Sequence, residues 1–445
     1  MIAALICSAG VACRHRVEGG NSPERIAILP AEVLVDDNSY GWAALATTFV
    51  LQQDLATSAT IIPSFAKDHS GAYGQGASAT VRCTVEKRKD RLRVVAVVTD
   101  LGTQRARQTI ESEGPEREGF IARLNAVSKR LDPDRAGPFS TSSDKALQAF
   151  AAAALASTQD ARMQLLEQAV AIDPGFGLAQ SALLEADPAR SSGVDPREAA
   201  RFVPFDRARY QALLARAKHA PIARQAAAEA EILKVAPNNV DAMAELGWFS
   251  FLQGKPAEGE RLLGKAISLS SQPLQLKLQL AQGLIASHRF SQAAQLLESL
   301  AGGNPAILPA LATAKLLSGD VAGANAVFAR FANLVPAGTP TRTFLEGQWK
   351  AIAGKQTGPV TTAGNTPLTP GYRAFLERRF PEAIGFWQNI VQQTSGTDLR
   401  ARAMLAASLE GAGQRRQLEV LPYLPDFGDP YASVAFNEMR RLLKM

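Results

Sequence analysis

Hydrophobic positions follow two different periods along this chain. Between residues 25 and 131 apolar and polar residues alternate, as in Val81-Arg82-Cys83-Thr84-Val85 and Leu92-Arg93-Val94-Val95-Ala96. That two-residue repeat belongs to strands that bury one face. It predicts strands over 79–86, 92–99 and 105–111, with Asp100-Leu101-Gly102-Thr103 as a hairpin turn. Two shorter apolar runs, Arg25-Ile26-Ala27-Ile28-Leu29-Pro30 and Thr60-Ile61-Ile62-Pro63, read as strands that proline stops. Between them, Trp42, Leu45, Phe49, Leu51 and Leu55 recur at helical spacing and predict a helix over 40–56. Phe120, Ile121, Leu124 and Val127 mark a second helix over 120–131. The predicted order is β-α-β, three antiparallel strands, then a helix.

From residue 144 the period changes to that of paired helices. Residues 132–143 separate the two regions and read as a linker from their Pro, Ser, Gly and Asp content. The clearest helix pair has Leu246-Gly247 in its first helix, Gly254 at the turn, and Leu263 and Ala266 in its second. Ala281, Ala293, Leu297 and Pro305 mark the next, followed by Ala312, Gly319-Asp320, Ala324, Phe328 and Pro336. Leu165, Leu166 and Ala169 before Asp173-Pro174, and Phe380, Ala383 and Trp387, suggest further units. The recurrence resembles the tetratricopeptide repeat, whose period is about 34 residues. Segments 186–206 and 354–370 interrupt it, the first as an irregular crossover and the second as a long polar loop.

The motifs at 25–30, 76–85, 90–94 and 99–103, in that order, resemble the TolB-like N-terminal α/β domain. The expected fold class is therefore α+β: a small α/β domain over 25–131, then an all-α tetratricopeptide-like superhelical solenoid over 144–445. A solenoid of this kind implies protein binding. By family register, Trp248, Phe251, Gln282 and Thr313 fall on the groove side of successive first helices, so a protein or peptide ligand is expected there.

Charge and composition change this picture little. The 445 residues carry 48 Lys and Arg against 42 Asp and Glu, a net charge of +6 spread along the chain. The densest basic run, Glu86 to Arg93, lies between two predicted strands and reads as a hairpin turn, so no nucleic-acid partner is expected. Segment 1–24 adds more. Met1 to Val11 is apolar but far shorter than the about 20 residues a membrane span requires. Gly10-Val11-Ala12-Cys13 resembles a bacterial lipobox, which implies lipidation at Cys13, a membrane anchor, and placement in the periplasm or outer membrane.

Candidate chemistry is sparse. His15, His69, His219 and His288 fall in separate segments, and no Cys or His cluster has metal-ligand spacing, so neither metal nor cofactor is expected. Asp68-His69-Ser70 lacks an accompanying oxyanion turn. The spaced glycines of 71–76 lack the Lys-Ser/Thr of a phosphate loop. The sequence thus points to a non-catalytic scaffold or adaptor in the bacterial envelope. The alternative is a cytoplasmic signalling or transcription-regulatory protein acting through a separate subunit.

Overall fold

A computed structural model describes residues 22–35, 40–134, 138–190, 194–218, 220–287, 289–302, 307–336, 370–393 and 399–414. Cys13, His15, His219, His288 and residues 354–369 of the expected polar loop lie outside the described residues, as does the side chain of Thr313.

Six strands form one sheet: β1 (Glu24–Ile28), β2 (Glu32–Leu34), β3 (Ile61–Phe65), β4 (Ala79–Arg88), β5 (Arg91–Asp100) and β6 (Ala106–Pro115). Their order is β3-β1-β4-β5-β6, with β2 also paired to β4. The pairs among β1, β2, β3 and β4 are parallel, whereas β4-β5 and β5-β6 are antiparallel hairpins. Alternation explains the burial. Val81, Cys83 and Val85 of β4 and Leu92, Val94 and Ala96 of β5 are fully buried on one face. That face is covered by α1 (Ala43–Ala56) and α3 (Phe120–Leu131). The short α2 (His69–Gly74) belongs to a small separate cluster with Ala27, Leu29 and Leu101.

The basic run forms the tight β4-β5 turn, where Lys89 has φ 57°. Its arginines are bound within the sheet: Arg93 pairs with Glu111 at 2.7 Å and Glu86 at 3.0 Å, and Arg91 with Glu113 at 2.5 Å.

Helices then follow in antiparallel pairs. The first is α4 (Asp144–Leu155) with α5 (Gln159–Ile172). Next come α6 (Gly177–Ala186), the one-turn α7 (Pro196–Ala199), and α8 (Pro204–Ala217) paired with α9 (Ile222–Val235). The succeeding hairpins are α10 (Val240–Leu252) with α11 (Pro256–Leu269), α12 (Leu274–Ala286) with α13 (Phe290–Leu300), and α14 (Leu308–Leu317) with α15 (Val321–Leu334). Further on lie α16 (Pro370–Leu376), α17 (Phe380–Gln393) and α18 (Leu399–Gly411). First helices begin at Pro204, Val240, Leu274 and Leu308, close to the tetratricopeptide spacing of about 34 residues. The fold is thus α+β, a six-stranded sheet followed by a helical-hairpin solenoid.

Close helix approach needs small residues. A Cβ on Gly259 of α11 would lie 2.8 Å from the Gly247 carbonyl of α10. The hairpin turn itself needs Gly254, at φ 73°, a conformation that costs little only for glycine.

Sheet and helices share a core. One continuous cluster runs from Val81 and Leu124 through Phe49 of α1 to Phe150 of α4 and Phe176 before α6. Rings meet along it: Phe49 to Phe150 at 5.3 Å, Phe150 to Phe176 at 5.3 Å, and Phe176 to Phe139 at 5.9 Å. Phe139 lies in the segment whose composition reads as a linker. Phe139, Ser140 and Thr141 are all buried, so this end of the segment is packed structure, with polar side chains that serve as hydrogen-bonding groups.

Candidate functional site

The hairpins α8-α9 and α10-α11 form a wall that faces the α/β unit. Contacts cross between them at several points. Arg25 of β1 donates to the Leu269 carbonyl at 2.6 Å, a cation at the carboxyl end of α11. Asn238, just before α10, donates to the Ala59 carbonyl at 2.9 Å and to that of Ser58 at 3.2 Å. Ile62 of β3 packs in one apolar cluster with Met243, Ala244 and Leu263. Ala56 packs with Phe205, Ala212 and Ile232.

Between these contacts the wall opens into a cavity of about 610 Å³, bounded by Gln52 of α1 on one side and by α6, α8, α9, α10 and α12 on the others. Phe205, Ile232 and Leu276 supply apolar surface. The charged side chains are Glu185, Glu229, Asp241 and Glu245 against Arg209 and Arg216, two more carboxylates than cations. Arg209 binds Glu185 at 2.9 Å, and Arg216 binds Glu229 at 2.7 Å with Glu245 at 3.9 Å. Glu229 is only 2% exposed. Burial pushes its carboxyl above the usual value, Arg216 pulls the other way, and Glu245 and Asp241 push it further up. Asp241 and Glu245 stand one turn apart on α10, a like-charge spacing that disfavours an isolated helix. The cavity therefore presents an excess of negative charge.

The sequence-predicted residues fall differently. Phe251 is 2% exposed, and its ring fills the space between Gly259 of α11 and Gly283 of α12. It joins successive hairpins rather than lining the cavity, because two glycines leave a slot only a ring can fill. Trp248 is half-buried and packs with Ala226, Phe249 and Leu252, also away from the cavity. Gln282 is half-buried, one helical turn beyond the lining residue Gln279. Thr313 sits on α14, with its side chain outside the described residues. The residues that do line the wall, Asp241, Glu245, Leu276 and Gln279, follow the helical i, i+3/i+4 spacing. The polar members of that stripe read in sequence as ordinary solvated positions.

Asp68 accepts from the Gly71 amide at 2.7 Å and caps α2, while His69 Nδ1 lies 3.3 Å from the Thr80 hydroxyl. Asp68, His69 and Ser70 thus make a helix start. Among the described residues no group of three or more His, Cys, Asp or Glu side chains is placed to hold a metal ion, and no helix is long and apolar enough to cross a membrane.

Fold and wall together define a protein class: an α/β unit joined through a common core to a solenoid of helical hairpins. No protein family matches the chain, and no curated protein does. Among solved structures, the TPR domain of P58(IPK) is similar at 13% identity over 73% of this chain and 94% of that one, with a TM-score of 0.21.

Proposed function

We propose that this chain is a non-catalytic scaffold that recruits a protein partner through the wall of first helices, and that it does so tethered in the bacterial envelope. The observation that carries the reading is the cavity at α8, α10 and α12. It combines apolar surface, side-chain amides and a carboxylate excess on a regular helical stripe, a composition suited to an extended segment with basic side chains. The TolB-like reading of residues 25–131 is supported by the β-α-β start and the two antiparallel hairpins. The tether rests on the lipobox-like Gly10-Val11-Ala12-Cys13.

A photo-crosslinking amino acid placed at Gln279, inside the cavity, and at Lys265, exposed on α11, tests the recruitment in cells. The expected result is a discrete adduct from position 279 that is absent from 265 and lost in the Asp241→Lys/Glu245→Lys double variant. Equal adducts at both positions would remove the wall as the binding surface. Cell fractionation with lipid labelling of the native chain and Cys13→Ala tests the tether separately: label and membrane association should both depend on Cys13.

A further inference from the structure

The charged groups that border the cavity between α8, α10 and α12 are not equivalent. Arg209 is held by Glu185 at 2.9 Å and Arg216 by Glu229 at 2.7 Å, so each cation already has its carboxylate. Two carboxylates remain. Asp241 makes no ion pair among the described residues, and Glu245 reaches only the engaged Arg216, at 3.9 Å. Both lie in the first two turns of α10, four positions apart, with Cβ atoms about 6 Å from one another. Two side-chain amides border the same space, Gln279 on α12 and Gln52 on α1. Neither makes a side-chain hydrogen bond among the described residues.

We propose, resting on the reading that the wall takes an extended basic segment, that it selects arginine or lysine at alternate positions of that segment, a basic-x-basic spacing. In an extended chain, side chains two residues apart share one face at about 7 Å, while neighbours point to opposite faces. Alternate cations therefore meet Asp241 and Glu245 together, and adjacent cations leave one carboxylate unmatched. A helical ligand with cations one turn apart matches the two carboxylates as well. Its backbone groups, however, are bonded within the helix, whereas an extended backbone brings N–H and C=O groups that need partners. The amides of Gln52 and Gln279 each donate and accept, so they hold an extended backbone from two sides. Spacing is thus read by α10, and the main chain is held by α1 and α12.

Fluorescence anisotropy with the full chain and labelled peptides tests this. Two unstructured peptides share one composition, one with its arginines at alternate positions and one with them adjacent; a third, alanine-rich and helical, carries them one turn apart. The alternating peptide should bind about fivefold tighter than the adjacent one, the worth of one ion pair. Asp241→Asn and Glu245→Gln should each erase that preference, so either variant serves if the other fails to fold. Gln279→Ala should weaken both unstructured peptides alike, because backbone contacts do not read spacing. The inference is overturned by equal affinities, by a preference that survives in Asp241→Asn and Glu245→Gln, by tighter binding of the helical peptide, or by no measurable binding of any. Equal affinities together with the discrete cellular adduct from position 279 would remove the spacing rule alone and leave the wall as the binding surface.

Discussion

Phe251 shows how one ring can set the spacing of two hairpins. It touches the positions of Gly259 and Gly283, so the hairpin α10-α11 meets α12 through its edge. Phe251→Ala should cost about 3–5 kcal/mol in chemical denaturation, the range for an emptied aromatic site. Gly283→Val should cost about 1–3 kcal/mol, because even its Cβ falls 2.4 Å from the ring. A smaller loss from Phe251→Ala than from a surface control would refute the assignment. Glu229 poses an electrostatic version of the same dependence. Arg216→Ala leaves a buried carboxylate without its cation and should lower stability by about 1–2 kcal/mol at pH 8, less than for a fully buried pair because Arg216 itself is 44% exposed. Since the folded Glu229 carboxyl already titrates above its usual value, its ionised form is what burial penalises. The cost of Arg216→Ala should therefore shrink as pH falls toward 5, which denaturation at the two pH values will read. Neither residue's role was visible in sequence. An aromatic on a first helix fits a groove or a hairpin seam equally well by spacing, and only the two glycines, 8 and 32 positions away, decide.

At the scale of elements, most of the architecture was legible because strong periodicities fixed it. Strands β4 and β5 alternate cleanly, α3 carries one apolar stripe, and the α8-α9, α10-α11 and α14-α15 turns are announced by Pro221, Gly254 and Gly319. Strand β2 escaped for a physical reason. With only three residues, of which Val33 alone is half-buried, β2 has no period to detect. By contrast, α1 was read from its spacing over 40–56 although it is apolar nearly all round, because the sheet covers one side and the helical wall the other. The cavity was less legible than the fold, since polar residues on a helix read alike whether they face solvent or an enclosed wall. The outer strand β6 carries a further expectation. Edge strands invite unwanted pairing, and here α3 covers two outward carbonyls: Arg123 donates to that of Glu113 at 2.9 Å and Arg130 to that of Glu111. A register shift at Val98/Thr99 disturbs the other end. The Arg123→Ala/Arg130→Ala double variant should associate in a concentration-dependent way visible by light scattering, while the native chain does not. Equal scattering by both would show that the bulge alone protects the edge.

For the whole molecule, the shared core matters more than the count of hairpins. Repeat arrays ordinarily gain stability from neighbour to neighbour, but this one also packs its first helices on the α/β unit through Ile62, Ala56 and the Phe49-Phe150-Phe176 rings. A chain beginning at Asp144 should therefore lose the cooperative transition of the intact protein and show exposed apolar surface by dye binding. An unchanged transition would mean that the array stands alone. The same interior holds a thiol with a different use. Cys83, in the middle of β4, is the free cysteine among the described residues and is 1% exposed. Burial pushes its thiol up to about 12, so it stays protonated and out of reach of alkylating reagents while the sheet is closed. Its modification is thus a clock wound into the fold: each alkylated Cys83 records one molecule whose sheet opened, and at reagent concentrations where alkylation outpaces reclosing the rate of marking gives the lifetime of the closed sheet.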